Sequence, residues 1–471
     1  MSTSTSYGVP YKPKTPIVTT FDDLLLQLDD IRYIRVQWAD PANIVRYKVL
    51  SRSYFVKLLH SSRPSITMAS PAWFSAGLAF VPDPDLMFNE WLYVFDPSSF
   101  RKCTYAPGHA TIMGFLEHKT PSPSGGVTLD VCPRTMLKRI VDDAQTLAGV
   151  SFLAGFESEF MLLSATSPEP VFVNTAEWCY SRKIPAHSAE AAALEEIADK
   201  IVESGIELQM FHGEAGRGQY EIVTGPMSPL EAADALVYTR ELTYSVAKKH
   251  GLHATFAPRV SAHDLCNGAH LNLSVHTTKP DEARAADAAC APTLTPTERS
   301  FLQALLTHLP AICALIMPVS ASYERTREHM VAGGPYACWG TNSREAAVRL
   351  CGAPGDHRFE VRHPDAAANP YLVLAGVLGA GLQGVKQGAL LTFADIQKPL
   401  AQMTEEEKNS RGIAVPTTIV DARKRFQEDS CVKEMFGDHF VNKYVAVNEI
   451  LAQYVSAETE EASLARLAGV Y

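Results

Sequence analysis

Apolar residues follow two periods along this chain, and the switches between them mark its elements. Pro133 opens a stretch in which Leu137, Ile140, Val141, Ala144 and Leu147 keep a 3.6-residue period, predicting a helix. Leu194, Ile197, Ala198 and Ile201 repeat that period, and Gly205 marks its end. Ser228-Pro229-Leu230-Glu231 reads as a capping box with Pro at the first helical position, opening a helix that runs to Gly251. Thr295-Pro296-Thr297-Glu298 is the same device. Strand-like runs occupy 152–163, 206–211, 219–224, 268–275 and 358–363. Nearer the N-terminus, residues 33–50 alternate β-branched or aromatic residues around Asp40-Pro41-Ala42-Asn43, predicting a hairpin. Irregular alternation of strands and helices predicts an α+β fold. Pro, Ser and Gly concentrate at 118–133, where a domain boundary is placed. Residues 1–16 read as a tail, and 277–299, rich in Ala, Asp and Pro, as a surface excursion.

Composition narrows the class. A chain of 471 residues, 46% hydrophobic and 20% charged, has room for two to four domains. Lys and Arg total 42 against 52 Asp and Glu, a net charge of −10 that argues against nucleic acid or an anionic membrane as partner. The N-terminus lacks an apolar core for a secretory signal, and the apolar stretch 371–384 is shorter than the ~20 residues a membrane span needs. The nine Cys contain no Cys-x-x-Cys pair, which suits reduced thiols and neither a zinc motif nor a disulfide framework. A soluble, cytoplasmic protein is expected.

Four segments carry possible chemistry. On the strand 152–163, period 2 puts Glu157 and Glu159 on one face, with Phe156 and Phe160 on the other. Two adjacent carboxylates on an apolar strand either face solvent or need a cation between them. In 211–222, Gly213, Gly216 and Gly218 suit a tight turn that brings Glu214 and Glu221 together, adding hard oxygen donors of the kind Mg²⁺ or Mn²⁺ takes. His270, Asn272, Ser274 and His276 make one strand face polar throughout. Arg358, Glu360 and Arg362 share another face, either a surface ion-pair ladder or two anion clamps flanking a metal ligand. Arg325 and Arg327 precede it, as do Arg344 and Arg349, whose spacing suits a strand or turn better than a helix. Carboxylates and a His for divalent cations, with several Arg for anions, describe a metal-dependent phosphoryl-transfer enzyme.

The order of these motifs resembles the glutamine synthetase family, nearest its bacterial-type (type I) branch and fungal relatives. The motifs are Gly155-Phe156-Glu157-Ser158-Glu159, Glu214 with Gln219-Tyr220-Glu221, and Asn267-Gly268-Ala269-His270 with Ser274. They continue with Ser322-Tyr323-Glu324-Arg325, Trp339-Gly340 with Arg344 and Arg349, and Arg358-Phe359-Glu360-Val361-Arg362 with Asn369-Pro370-Tyr371. The resemblance implies a β-grasp N-terminal domain, 17–120, and a catalytic domain, 130–471, with a curved antiparallel sheet and surrounding helices. It implies Glu159, Glu214 and Glu221 on one metal, and Glu157, His270 and Glu360 on a second, with two to three Mg²⁺ or Mn²⁺ per site. Ser274, Asn272, Arg358 and Arg344 would contact ATP, the co-substrate. Arg344 and Arg349 would act on the transferring phosphoryl group, with Arg362 as a third catalytic residue. Arg325, Arg362, Glu159, Asn267 and Gly268 would bind the acid substrate, glutamate in the family. A homo-oligomer of stacked rings, a decamer or dodecamer, is implied, with the neighbour's N-terminal domain completing each site.

Several positions depart from the family pattern. Val331 stands where the family's flap carries a Glu, with Glu328 three residues earlier. Residues 67–77 lack the family's ammonium-binding acid and offer Trp73 and Phe74, while Tyr180 would preserve one remaining contact. Leu265-Cys266 align with the family's Asn-Gly, with Asn267-Gly268 shifted towards that role. The tyrosine that bacterial enzymes adenylylate has no counterpart. Fewer anions and more aromatics favour an organic amine over ammonium. The expected activity is therefore an ATP- and Mg-dependent carboxylate–amine ligase working through a γ-glutamyl phosphate-type acyl phosphate. A true glutamine synthetase and a non-catalytic family member are the alternatives.

Overall fold

The computed structural model describes residues 18–77, 79–81, 89–122, 125–166, 169–174, 181–277, 289, 291–327 and 332–471. The tail, Tyr180, Glu328, Val331 and most of the 277–299 excursion lie outside the described residues. The expected hairpin is β1 (Tyr33–Ala39) and β2 (Val45–Ser51), antiparallel around residues 40–43. The strand His109–Ile112 adds to β1 in parallel, making a mixed sheet of four strands among the described residues. A second, antiparallel sheet has three strands among the described residues.

The hairpin turn is held by residues far along the chain. Asn43 Nδ2 donates to the Ala366 carbonyl at 2.8 Å, and Asn369 Nδ2 donates to the Asp40 carbonyl at 2.8 Å. Arg134, almost fully buried, joins Asp96 at 2.9 Å to Asp234 at 2.7 Å. One continuous apolar core runs from Ile34 and Phe95 through Leu137 to Phe440.

Among the described residues the largest sheet has nine strands. Its main path uses β3 (Val150–Ala165), β4 (Leu208–Gly213), β5 (Gln219–Thr224), β6 (Ala269–Thr277), β7 (Trp339–Thr341), β8 (Val348–Cys351) and β9 (Arg358–Val361). They lie in the order β4-β5-β3-β6-β9-β8-β7, antiparallel except for β7 with β8. The α+β class and the predominantly antiparallel sheet follow the sequence expectation. Phe156, Phe160, Tyr220, Leu271, Leu273, Phe359 and Val361 are all buried, supplying the apolar face that period 2 requires. Phe301, on the helix Pro296–Ile316, stacks on Phe359 with 6.1 Å between ring centroids. The helix Pro370–Gln387 packs beside it, where a Cβ on Gly384 would run into the Ser300 carbonyl. Pro296–Ile316 is the one helix among the described residues long and apolar enough to cross a membrane, and 83% of its apolar window is buried inside the protein.

Three local expectations need correction. The helix from Pro133 ends as regular α-helix at Asp143, and the next five residues form a wider π turn that leaves Leu147 61% exposed. Ser228 makes no side-chain cap to its helix, Pro229–Lys249, whereas Thr295 and Glu298 do form their reciprocal pair. Trp73 and Phe74 are 2% and 0% exposed. The Trp73 indole donates to the Val131 carbonyl, and Phe74 packs edge-on against Trp91. They are core residues of the N-terminal region and present nothing to an amine.

Candidate active site

Register, rather than any single motif, builds the site. β3 has β5 on one side and β6 on the other, so Glu159 lies opposite Glu221 and Glu157 lies opposite His270. One strand outward on each side, His212 of β4 pairs with Glu221, while Glu360 of β9 pairs with Asn272 and with Arg349 of β8. A row of charged and polar side chains thus crosses six strands on one sheet face. The turn between β4 and β5 carries Glu214. Gly218 sits there at φ +58°, and a side chain on it would approach the Leu162 carbonyl to 2.8 Å.

All of these charged and polar groups except Glu360 line a cavity of about 1270 Å³. His270 Nδ1 lies 3.3 Å from Glu157 and 3.6 Å from Glu360, and its Nε2 lies 3.7 Å from Glu159. Glu159 accepts the Gly268 backbone N–H at 2.7 Å and Gln219 Nε2 at 3.2 Å. His212 Nε2 is 3.1 Å from Glu221, and its Nδ1 is 3.6 Å from Glu214. Three groups of potential ligand atoms result, each contained within 4.8 Å: Glu157–His270–Glu360, Glu159–Glu221–His270 and His212–Glu214–Glu221. Hard carboxylate oxygens with one imidazole suit Mg²⁺ or Mn²⁺. The residues therefore fit the divalent cations that the sequence implies, and the first group coincides with one of the two expected sets. His212 was missed. Its signal was its place two residues before Glu214 on an alternating strand, but its pairing with Glu221 depends on register.

Glu360 is buried beneath the row. Its carboxylate pairs with Arg362 and, at 2.9 Å, with Arg349. Arg344 is exposed at the cavity, separated from Arg349 by a turn as expected. Asn272 bridges two residues, donating to Glu157 at 2.9 Å and accepting from Arg358 Nε at 2.9 Å. Ser274 lines the same end of the cavity. Arg325 borders the cavity but is 1% exposed, its guanidinium donating to the backbone carbonyls of Arg362 and His363. Asn267 does not match its expected role. It is fully buried, with Nδ2 donating to the Ala257 carbonyl and Oδ1 accepting from Gln219, so its side chain serves the scaffold. Gly268 acts through close approach, since a Cβ there would come within 2.7 Å of Arg325 and His270. Leu265 and Cys266 do line the cavity, together with Met210.

Residues 130–467 match the model of the glutamine synthetase catalytic domain. The chain belongs to the glutamine synthetase family. Members of that family are ATP-dependent ligases that form C–N bonds and use divalent metals. Protein fluG of Emericella nidulans is 32% identical over 455 residues, covering 92% of this chain; the chain spans 48% of that protein's length. Gamma-glutamylpolyamine synthetase GlnA3 of Streptomyces coelicolor is 32% identical over 329 residues, 68% of this chain and 69% of the relative. A solved glutamine synthase homologue superposes with a TM-score of 0.74 at 25% identity, covering 94% of this chain and 99% of its own.

Charge crowding in this glutamine synthetase-type site has a measurable consequence. Burial, and then the charges of Glu159 and Glu221, push the Glu214 carboxyl up to about 7. The hydrogen bond to Glu221, opposed by burial, leaves His212 raised to about 9. Burial pushes Glu157 upward, but contacts with His270 and Asn272 outweigh it and bring the group down to about 2. Because Glu214 and His212 bind protons more tightly folded than unfolded, their stabilising contributions are complete at low pH. That of Glu214 is lost between its ordinary 4.5 and about 7, and that of His212 between 6.5 and about 9. A bound cation would replace the missing protons. The rise in Tm on adding excess Mg²⁺, against EDTA, is therefore expected to grow from pH 5 to pH 9. A Mg²⁺-induced shift that stays constant with pH would place the cation elsewhere.

Proposed function

We propose that this chain is a carboxylate–amine ligase that activates a small acid, glutamate in the first instance, with ATP and joins it to an organic amine. The observation that carries this reading is the cross-sheet row that brings Glu157, Glu159, Glu221, His270 and Glu360 together, with Arg349 and Arg362 beside it. A non-catalytic relative has no need to keep such a costly set of buried charges. Bound Mg²⁺ or Mn²⁺ would neutralise the triphosphate and the developing charge on the phosphoryl group. Ser274, Asn272 and Arg358 would hold the nucleotide, while Arg344 and Arg349 would steady the group in flight. Arg325 and Arg362 would orient the acid. A carboxylate oxygen attacks the γ-phosphorus and ADP leaves; the amine lone pair then attacks the acyl carbon, the C–O bond to phosphate breaks, and the ammonium proton passes to solvent or a nearby carboxylate.

Two observations support an organic amine. The cavity wall carries Met210, Leu265 and Cys266, with Met210 and Leu265 52% and 38% exposed. A relative of comparable length is named a gamma-glutamylpolyamine synthetase. A cytoplasmic homo-oligomer of stacked rings fits the same reading, with exposed Tyr47 and Val49 on the N-terminal hairpin and Tyr54 just after it available for contact between copies.

The test is phosphate release from ATP with Mg²⁺ and glutamate, comparing ammonium with polyamines, ethanolamine and aromatic amines. Release with one organic amine and little with ammonium is the expected result. Turnover with ammonium at a rate typical of enzymes, roughly 1–10³ s⁻¹, would make the chain a true glutamine synthetase.

A further inference from the structure

A separate set of donors lies where two helices meet away from the cavity. His308, on Pro296–Ile316, faces Asp429 and Cys431 at the start of the helix Ser430–Val455. His308 Nδ1 is 2.9 Å from Asp429 Oδ2, and the three ligand atoms lie within 4.8 Å of one another. Cys431 is 4% exposed, while the His308 and Asp429 side chains retain 20% and 19%, so one side of the cluster stays open to water. Asp429 also caps its helix, but through Oδ1, which accepts the Val432 N–H at 2.9 Å. Its Oδ2 is therefore not needed for the cap, and capping explains neither the imidazole nor the thiol. None of the three belongs to the motifs of the active site. Their separation in sequence is why spacing between cysteines gave no sign of them.

We propose that His308, Asp429 and Cys431 form a second metal site, selective for a thiophilic dication such as Zn²⁺, with water as fourth ligand. Tetrahedral zinc holds N, O and S donors about 3.3–3.7 Å apart, given bond lengths of about 2.0–2.3 Å. Small side-chain movements close the present cluster to that size. Carboxylate and thiolate together balance the ion's two charges, which offsets the unfavourable positive end of the helix dipole. The thiolate separates this site chemically from the carboxylate row, which suits hard cations. The ion would pin Pro296–Ile316 to Ser430–Val455. The pinned helix starts at Thr295 and Thr297 on the cavity wall and leads into residues 320–326, which carry Arg325. The ion would thus tie two helices together behind the cavity wall and take no part in the chemistry there.

The full chain in excess Mg²⁺ is titrated with Co²⁺. One equivalent is expected to produce a thiolate-to-cobalt charge-transfer band in the near ultraviolet, which Zn²⁺ then removes. C431S should lose the band, H308Q should weaken Co²⁺ binding at least tenfold, and both should keep ATP turnover in Mg²⁺. Because the H308Q side chain stays polar and similar in reach, it tests the site even where the buried C431S change harms folding. No band in the parent chain overturns the proposal, as does a band that persists in C431S, which would place the cobalt beside Cys266 or Cys351.

Discussion

Replacing Glu360 with Ala is expected to reduce metal-dependent ATP turnover by about 10²–10³-fold and to cost about 3–5 kcal/mol of stability. The two effects share one cause. Glu360 is 1% exposed, and its carboxylate is within reach of His270, Arg349 and Arg362. Removing it deletes a potential ligand from the Glu157–His270–Glu360 group and takes the nearest counter-charge from one buried and one half-buried guanidinium. E360Q separates the effects. It retains the shape and an acceptor oxygen for one Arg, so much of the stability should return while activity stays low. Phosphate release at saturating Mg²⁺, measured alongside thermal unfolding, reads both. An E360A protein that hydrolyses ATP as fast as the parent would overturn the metal assignment.

What the sequence disclosed was mainly what period and punctuation can encode. Glu157 and Glu159 share a face because side chains alternate on any strand, and Thr295 with Glu298 announces a helix start wherever it occurs. The same rules could not reveal register. That His212 sits across from Glu221 follows from the β4–β5 pairing, a property of two strands, and no residue of either declares it. Trp73 and Phe74 show the opposite failure. An aromatic pair in a short irregular segment has no period to say whether it faces in or out, and here the 3₁₀ turn 70–72 directs both into the core. Asn267 was legible as a residue of the right type in nearly the right place. Only the contact with Ala257 and Gln219 shows that its polarity is already used.

Arg362→Ala is expected to raise the KM for the acid and to lower kcat by about 10²–10³-fold, the cost of losing a preorganised charge in a dry site. Arg362 is 4% exposed and pairs with Glu360, so it has two possible duties. One is to grip the acid's carboxylate as the family resemblance implies. The other is to hold Glu360 in position for the cation. They separate kinetically. Loss of a substrate clamp raises the acid's KM even at saturating Mg²⁺, whereas loss of a holding contact shifts the Mg²⁺ dependence and leaves that KM in place. Lys is a poor replacement in either duty, because a single ammonium cannot reproduce the planar fork that binds a carboxylate through two parallel bonds. R362K should therefore recover stability before it recovers rate. If R362A leaves the acid's KM unchanged and alters only the response to Mg²⁺, Arg362 is a positioning residue for Glu360, and Arg325 would first have to release its backbone carbonyls to take the acid.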